Sequence, residues 1–145
     1  FYGMGHALYS TAPDYLRFLR MFLNRGQLDG RRILSEAGLQ SMLANQIGEL
    51  PIPLLKTAAP PVTADAEFFP GRRKSHSLAF QRIDEDVPGM RAAGSQFWAG
   101  VCNTHYWWDP KNDVAALLMT QTLPFAEPRF MGLYEAFEQA VYRAR

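Results

Sequence analysis

The chain has 145 residues, enough for one domain with a hydrophobic core, and its 48% hydrophobic and 20% charged content is ordinary for a globular protein. Its 15 basic and 14 acidic residues nearly cancel, and no basic stripe exists to argue for nucleic acid or an anionic membrane as the main partner. The single cysteine, Cys102, excludes an internal disulfide framework and leaves the compartment open, and no apolar run approaches the roughly 20 residues that span a bilayer.

The sequence opens at Phe1 rather than at a methionine, so a cut or cropped N-terminus is expected and the lack of a targeting segment says nothing of localisation. Thr11, Pro13 and Asp14 predict a capped helix start, and Tyr15, Phe18, Leu19 and Phe22 follow the spacing of one buried face. Gly26 is placed to end that helix in a left-handed conformation. After a turn at Leu28-Asp29-Gly30, Ser35 predicts the cap of a second helix carrying Leu39, Met42 and Leu43 on one side.

From residue 46 to about residue 75 five prolines (Pro51, Pro53, Pro60, Pro61 and Pro70) exclude a regular helix or a central strand. Long irregular segments of this kind often border a site, and Leu54, Leu55, Phe68 and Phe69 suggest that this one packs down on the core. The basic run Arg72-Arg73-Lys74 reads as a solvated loop. Strand chemistry follows at 77–83, 92–98, 103–108 and 114–120, with turns at 84–89 and 109–113. Short connections imply antiparallel pairing. Pro128 and the stripe Phe130, Leu133, Tyr134, Phe137 and Val141 predict a closing amphipathic helix. The expected fold is α+β: an antiparallel sheet of three to four strands, with two N-terminal helices and a C-terminal helix packed on it in one unit over 1–145.

Local signatures of a nucleophile are missing. No serine is followed three residues later by lysine, no Gly-x-Ser-x-Gly occurs, and no tyrosine is followed by x-Asn or x-Ser. Cys102 and His105 lie three apart, which on a strand points them to opposite faces, so Cys102 reads as a small buried thiol. His6, His76 and His105 show no metal-ligand spacing; each reads as a surface or loop histidine, and neither a metal nor a cofactor is expected. Lys56-Thr57-Ala58 imitates a Lys-Thr-Gly motif but lies in the proline-rich segment, without a strand to carry it.

Residues 94–110, Gly-Ser-Gln-Phe-Trp-Ala-Gly-Val-Cys-Asn-Thr-His-Tyr-Trp-Trp-Asp-Pro, are more informative. Trp98-Ala99-Gly100 resembles the third active-site motif of the serine β-lactamase and penicillin-binding-protein superfamily, in the Trp-x-Gly form of the class C β-lactamase-like esterases. The aromatic run Tyr106-Trp107-Trp108 with Asp109-Pro110, the core strand after it and the terminal helix are similar to that family in order. So is the upstream stretch Gly3-Met4-Gly5-His6-Ala7-Leu8-Tyr9-Ser10-Thr11-Ala12, although His6 stands where the family has glycine.

The resemblance implies a C-terminal portion of a β-lactamase/transpeptidase-like fold, acting on an ester or amide. In such enzymes a serine of Ser-x-x-Lys attacks the carbonyl, and both that motif and a tyrosine motif precede the part matched here. The chain is then expected to contribute the third motif and to be inactive alone, with the missing N-terminal part of the protein as its partner. By the same resemblance the Val101 N–H is one oxyanion donor, Trp98 an apolar wall of the acyl pocket, and Gly100 the point where substrate backs against the strand. With no lysine or histidine in the third motif, an esterase is favoured over a β-lactamase. An unpaired strand edge is expected to drive self-association or an intimate complex with the missing part. The alternatives are a non-catalytic binding domain with a pocket lined by Trp98 and the proline-rich loop, or a Trp98 and Trp108 that are core aromatics only.

Overall fold

The first helix, α1 (Ala12–Leu23), begins where its sequence allows a reciprocal cap. The Thr11 hydroxyl accepts from the Asp14 N–H at 3.3 Å and donates to the Asp14 carboxylate at 2.8 Å, satisfying one orphan donor of the first turn. This is a computed structural model describing residues 8–145; Gly3, Met4, Gly5, His6 and Ala7 of the upstream motif lie outside the described residues. The buried face of α1 is Leu19, Met21 and Phe22, rotated slightly from the expected stripe, and Phe18 is 40% exposed at its margin.

Gly26 (φ +82°) ends α1 and leads into a small hairpin of β1 (Gln27–Leu28) and β2 (Arg31–Arg32). Its two turn residues, Asp29 and Gly30, both have positive φ, the geometry that matches the twist of a two-residue hairpin. Helix α2 (Glu36–Leu43) follows, its first turn capped by Ser35, whose hydroxyl accepts from the Gly38 N–H at 3.0 Å.

Five antiparallel strands form the main sheet in sequential order: β3 (Lys74–His76), β4 (Gln81–Ile83), β5 (Gln96–Gly100), β6 (Thr104–Asp109) and β7 (Val114–Leu118). The extra strand arises because residues 77–83 are not one strand. The Ser77 hydroxyl accepts from the Phe80 N–H at 3.0 Å, and the Ser77 N–H donates to the Phe80 carbonyl at 2.8 Å, which closes a turn. The chain therefore pairs residues 74–76 with 81–83 as a hairpin. The proline-rich segment consequently ends at Lys74, which is buried rather than solvated. β5 starts later than predicted because Ser95 turns back on Ala92, its N–H and hydroxyl both reaching the Ala92 carbonyl.

Helix α3 (Pro128–Arg143) closes the chain, with Glu127 capping the Phe130 N–H at 2.8 Å. The sheet is sandwiched between helices. On one face Ile83, Phe97, Trp107, Val114 and Ala116 pack against Phe130 and Tyr134 of α3. On the other, Phe80 and Trp108 pack against Leu19, Met21 and Phe22 of α1 and Leu39 of α2. Phe22 stacks on Trp108 with ring centres 5.2 Å apart, and full burial of a side chain of its size contributes about 1.5–3 kcal/mol. The α3 stripe departs from expectation at two positions: Leu133 is 57% exposed, and Glu138 takes a buried place instead.

Candidate functional site

β5 outruns its neighbour. β4 pairs only with the first half of β5, Gln81 opposite Phe97 and Arg82 opposite Gln96. The turn closed by Ser77 ends β4 at Gln81, so Trp98, Ala99 and Gly100 have a strand partner on the β6 side alone. Among the described residues the backbone of these three is left open on the β4 side, where an extended ligand would add as a strand does.

The end of this open edge is shaped by a tight turn. Asn103 has φ +56° and donates its N–H to the Gly100 carbonyl at 3.0 Å, returning the chain from β5 to β6. The Asn103 side chain fixes that turn from behind, accepting from the Ala126 N–H at 2.8 Å and donating to the carbonyls of Thr122 and Pro124. Gly100 itself is exposed, and a Cβ built on it meets nothing nearer than the Thr104 carbonyl at 3.9 Å. The chain does not crowd this glycine; the space over it is free.

Alternation along β5 sends Phe97 and Ala99 towards the α3 face and Trp98 to the other. Trp98 is 46% exposed, whereas Trp107 and Trp108 are buried, so it is not a core aromatic. It stands edge-on to His76 at 5.5 Å between ring centres and lies opposite Tyr106 on β6. Burial pushes the Tyr106 phenol well above its ordinary value, which keeps it protonated.

Beside the open edge lies a cavity of about 280 Å³. Trp98, Ala99 and Phe97 form its strand side, Ile52, Pro53 and Leu55 of the proline-rich segment face them, and Phe68 and Phe125 add aromatic walls. Trp98 and Ala99 are thus brought together with the irregular segment; Gly100 and Val101 sit past the cavity, Val101 exposed in the turn. Leu54 and Leu55, expected to pack down, are 43% and 54% exposed, while Phe68 and Phe69 do pack on the core.

The polar lining was not legible in advance. The Lys74 ammonium donates to the Phe68 and Phe69 carbonyls at 2.7 and 3.1 Å and lies 3.5 Å from Glu67. The two carbonyl contacts are hydrogen bonds, and the contact with Glu67 is an ion pair. His76, also on the wall, directs Nδ1 at the Ser77 carbonyl. The one sequence signal for either is the serine turn at 77–80, which makes a strand of 74–76.

Of the other candidates, Lys56 is exposed in the irregular segment and Cys102 is half-buried in the turn after β5 rather than a core thiol. His105 is not a surface or loop residue: it is buried on β6 among Phe125, Phe130 and Tyr134. Burial, and secondly the charge of Arg91, push its pKa down to about 4. Among the described residues no group of His, Cys, Asp or Glu is arranged to hold a metal, and no helix is long and apolar enough to cross a membrane.

Comparison with known proteins bears on the family and the fold. The beta-lactamase family pattern matches residues 2–141. Protein Rv1367c of Mycobacterium tuberculosis is 31% identical over 129 residues, covering 86% of this chain and 30% of that protein. The chain therefore spans about 30% of the length of the curated relatives it matches. Among solved structures, unliganded simvastatin synthase (LovD) from Aspergillus terreus superposes with a TM-score of 0.67 at 22% identity, over 88% of this chain and 32% of that one. A penicillin-binding protein homolog from Caulobacter crescentus gives 0.58 at 20% identity, over 91% and 31%. These likenesses show a common fold.

Proposed function

We propose that this chain, which belongs to the beta-lactamase family, supplies the third-motif wall of a serine acyl-hydrolase or acyl-transfer site and is inactive without a segment carrying the nucleophile. The observation that carries the reading is the overhang of β5 beyond β4, which leaves Trp98–Gly100 open beside an apolar cavity. A carbonyl laid along that edge meets backbone groups at the place where the Val101 N–H serves as an oxyanion donor. Trp98 walls the acyl group, and Gly100 lets substrate approach without obstruction.

The chemistry needs two parts that the sequence does not contain. No serine precedes a lysine by three residues, and no tyrosine stands in a Tyr-x-Asn or Tyr-x-Ser motif. A serine supplied by the preceding part of a longer protein attacks the ester carbonyl, the ester C–O bond breaks, and the serine's proton passes through the lysine and tyrosine of those motifs to the alcohol that leaves. The acyl-enzyme then releases its acyl group to water or another acceptor. Between these strands and the missing segment we expect an intimate complex; without it, the outer strands β3 and β7 favour self-association.

The test is hydrolysis of a chromogenic butyrate ester by this chain alone and with the supplied nucleophile segment. Turnover only on complementation supports the reading; robust turnover by the chain alone sinks it. A second reading is a non-catalytic binding domain that keeps the fold, with the cavity beside Trp98 and the proline-rich segment as its ligand site. It predicts ligand-dependent melting and no turnover in either setting.

A further inference from the structure

We infer that the cavity between residues 48–52 and the β3–β4 hairpin binds the oxyanion of a small molecule, a phosphate or a carboxylate, through Arg73, Arg82 and the Ser75 hydroxyl. The site goes beyond the proposed function and does not depend on it. Only Ile52, Glu67 and Lys74 of its walls also border the cavity beside Trp98.

The hairpin register puts the three groups on one face. Ser75 lies directly opposite Arg82. The Asp84 N–H donates to the Arg73 carbonyl at 3.0 Å, so Arg73 stands opposite Asp84 two residues further along. Residues two apart on a strand point the same way, and directly opposite residues hold their Cβ atoms about 4.5–5.5 Å apart. The chain leaving α2 passes over this same face. Gln96, opposite Arg82 on β5, donates its side-chain amide to the Leu43 carbonyl at 2.9 Å, and the Gln46 N–H donates to the His76 carbonyl at 2.9 Å. Residues 48–52 then form the far wall of a cavity of about 550 Å³, inside the range of roughly 300–1,000 Å³ that small molecules occupy.

The donors on that face are unsatisfied. Ser75 is 2% exposed, and its hydroxyl has no hydrogen-bond partner among the described residues. A buried hydroxyl left unpaired is costly, and a ligand oxygen relieves it. Arg82 meets Asp84 through Nε at 3.0 Å, which leaves the edge formed by its two Nη groups for the two oxygens of an anion. Arg73, on the same face, makes no ion pair among the described residues.

Charge selects the sign of the ligand. The walls carry the cations Arg72, Arg73, Lys74 and Arg82 against three carboxylates. Two of those carboxylates are already engaged, Glu67 by Lys74 at 3.5 Å and Asp84 by Arg82. The third, Glu49, is exposed on the far wall, and Arg72 sits 4.0 Å from Glu85. A cationic ligand therefore meets guanidinium groups with one exposed carboxylate to offset them. An oxyanion meets the Arg82 fork, the Arg73 charge and the Ser75 hydroxyl together. The basic run at 72–74 is thus divided: Lys74 is buried and committed, and the arginines border the cavity.

The experiment is titration of this chain with inorganic phosphate and with succinate, at an ionic strength held constant by sodium chloride. Calorimetry and the amide NMR shifts of Ser75 and Arg82 give the readout. Saturable binding at about a millimolar or tighter is expected for at least one anion, and the tighter of the two assigns the ligand's head group. Ser75→Ala removes a hydroxyl that bonds nothing, so its melting temperature is expected not to fall while its affinity drops about three- to tenfold. Arg82→Lys keeps the charge and loses the fork, and at least about tenfold weaker binding is expected. Arg31→Gln, in the first hairpin and outside the cavity, is expected to bind as the parent does. No saturation by either anion, or folded Ser75→Ala and Arg82→Lys variants that bind like the parent, overturns the inference. So does anion binding that disappears when the nucleophile segment is supplied, since a carboxylate of that segment then fills the cavity. Neither probe is an ester, so anion binding without turnover after complementation upholds this site and rejects the hydrolase reading; turnover without anion binding does the reverse.

Discussion

The Arg91 guanidinium and the Glu138 carboxylate meet in a two-pronged ion pair, Nε to Oε1 at 2.7 Å and Nη2 to Oε2 at 2.6 Å, with both side chains shut off from solvent. Arg91 lies in the connection before β5, Glu138 on α3, so the pair ties the strand of the candidate site to the closing helix. The guanidinium also lies over the rings of Phe69, Phe97 and Trp107, each within about 5 Å. Removing one partner leaves a buried charge uncompensated: Glu138→Ala is expected to cost about 3–5 kcal/mol in denaturant melts. Arg91→Met combined with Glu138→Leu removes both charges and is expected to melt closer to the parent than either single variant. A double variant no better than the worse single one would show that the pair itself carries the stability.

His105 makes the fold sensitive to mild acid. Its Nε2 is buried without a hydrogen-bond partner among the described residues, and burial, then the Arg91 charge, lower its pKa to about 4. In the unfolded chain a histidine titrates near 6.5. The unfolded state therefore binds the extra proton first as pH falls, so the stability gained by keeping His105 neutral is complete above about 6.5. It is lost progressively down to about 4, roughly 3 kcal/mol in all. His105→Phe is expected to flatten the stability profile across that window, measured by urea melts at stepped pH. An unchanged slope in the variant would assign the acid sensitivity to other groups.

Two glycines with similar backbone angles predict different costs. Gly26 (φ +82°) approaches the Leu34 carbonyl so closely that an added Cβ sits 2.5 Å from its oxygen. Gly30 (φ +76°) has nothing within 4 Å of that position. Gly30→Ala is expected to lose about 1 kcal/mol from the strained angle alone. Gly26→Ala adds a backbone clash where α1 turns into the first hairpin, and about 2–4 kcal/mol is expected. Equal losses would mean that the loop relaxes and the contact counts for nothing.

The helices were legible in the sequence because their ends are written in local chemistry: Thr11 with Asp14, Ser35 before Gly38, and Pro128 in a first turn are read without tertiary knowledge. The strands were legible in number only to within one. Residues 74–76 carry Lys, Ser and His, an unlikely strand by composition, and they pair because the Ser77 turn folds them onto 81–83. The third-motif run was readable as a resemblance, but the open edge that gives it meaning depends on where β4 stops. Buried polar groups were the blind spot. Lys74, Arg91, His105 and Glu138 are charged or polar in composition, and only their partners across the fold explain why they lie inside.

Gly100 separates function from stability more cleanly than any other position in the site. Its backbone angle is not left-handed, and a Cβ there makes only ordinary contact, 3.9 Å from the Thr104 carbonyl. Gly100→Ala is therefore expected to leave the melting transition within about 0.5 kcal/mol of the parent. In the proposed site the added methyl stands on the strand where the substrate carbonyl lies close to backbone. A shift of about 1 Å at such a point costs on the order of a hundredfold in rate, so ester turnover by the complemented protein is expected to fall at least about tenfold. Gly100→Val enlarges the obstruction and is expected to remove turnover while folding is retained, since the strand end is exposed. Steady-state kinetics beside thermal melts of the same samples make the comparison. Parental turnover in a folded Gly100→Val variant would move the substrate off this edge of β5, and the proposed site with it.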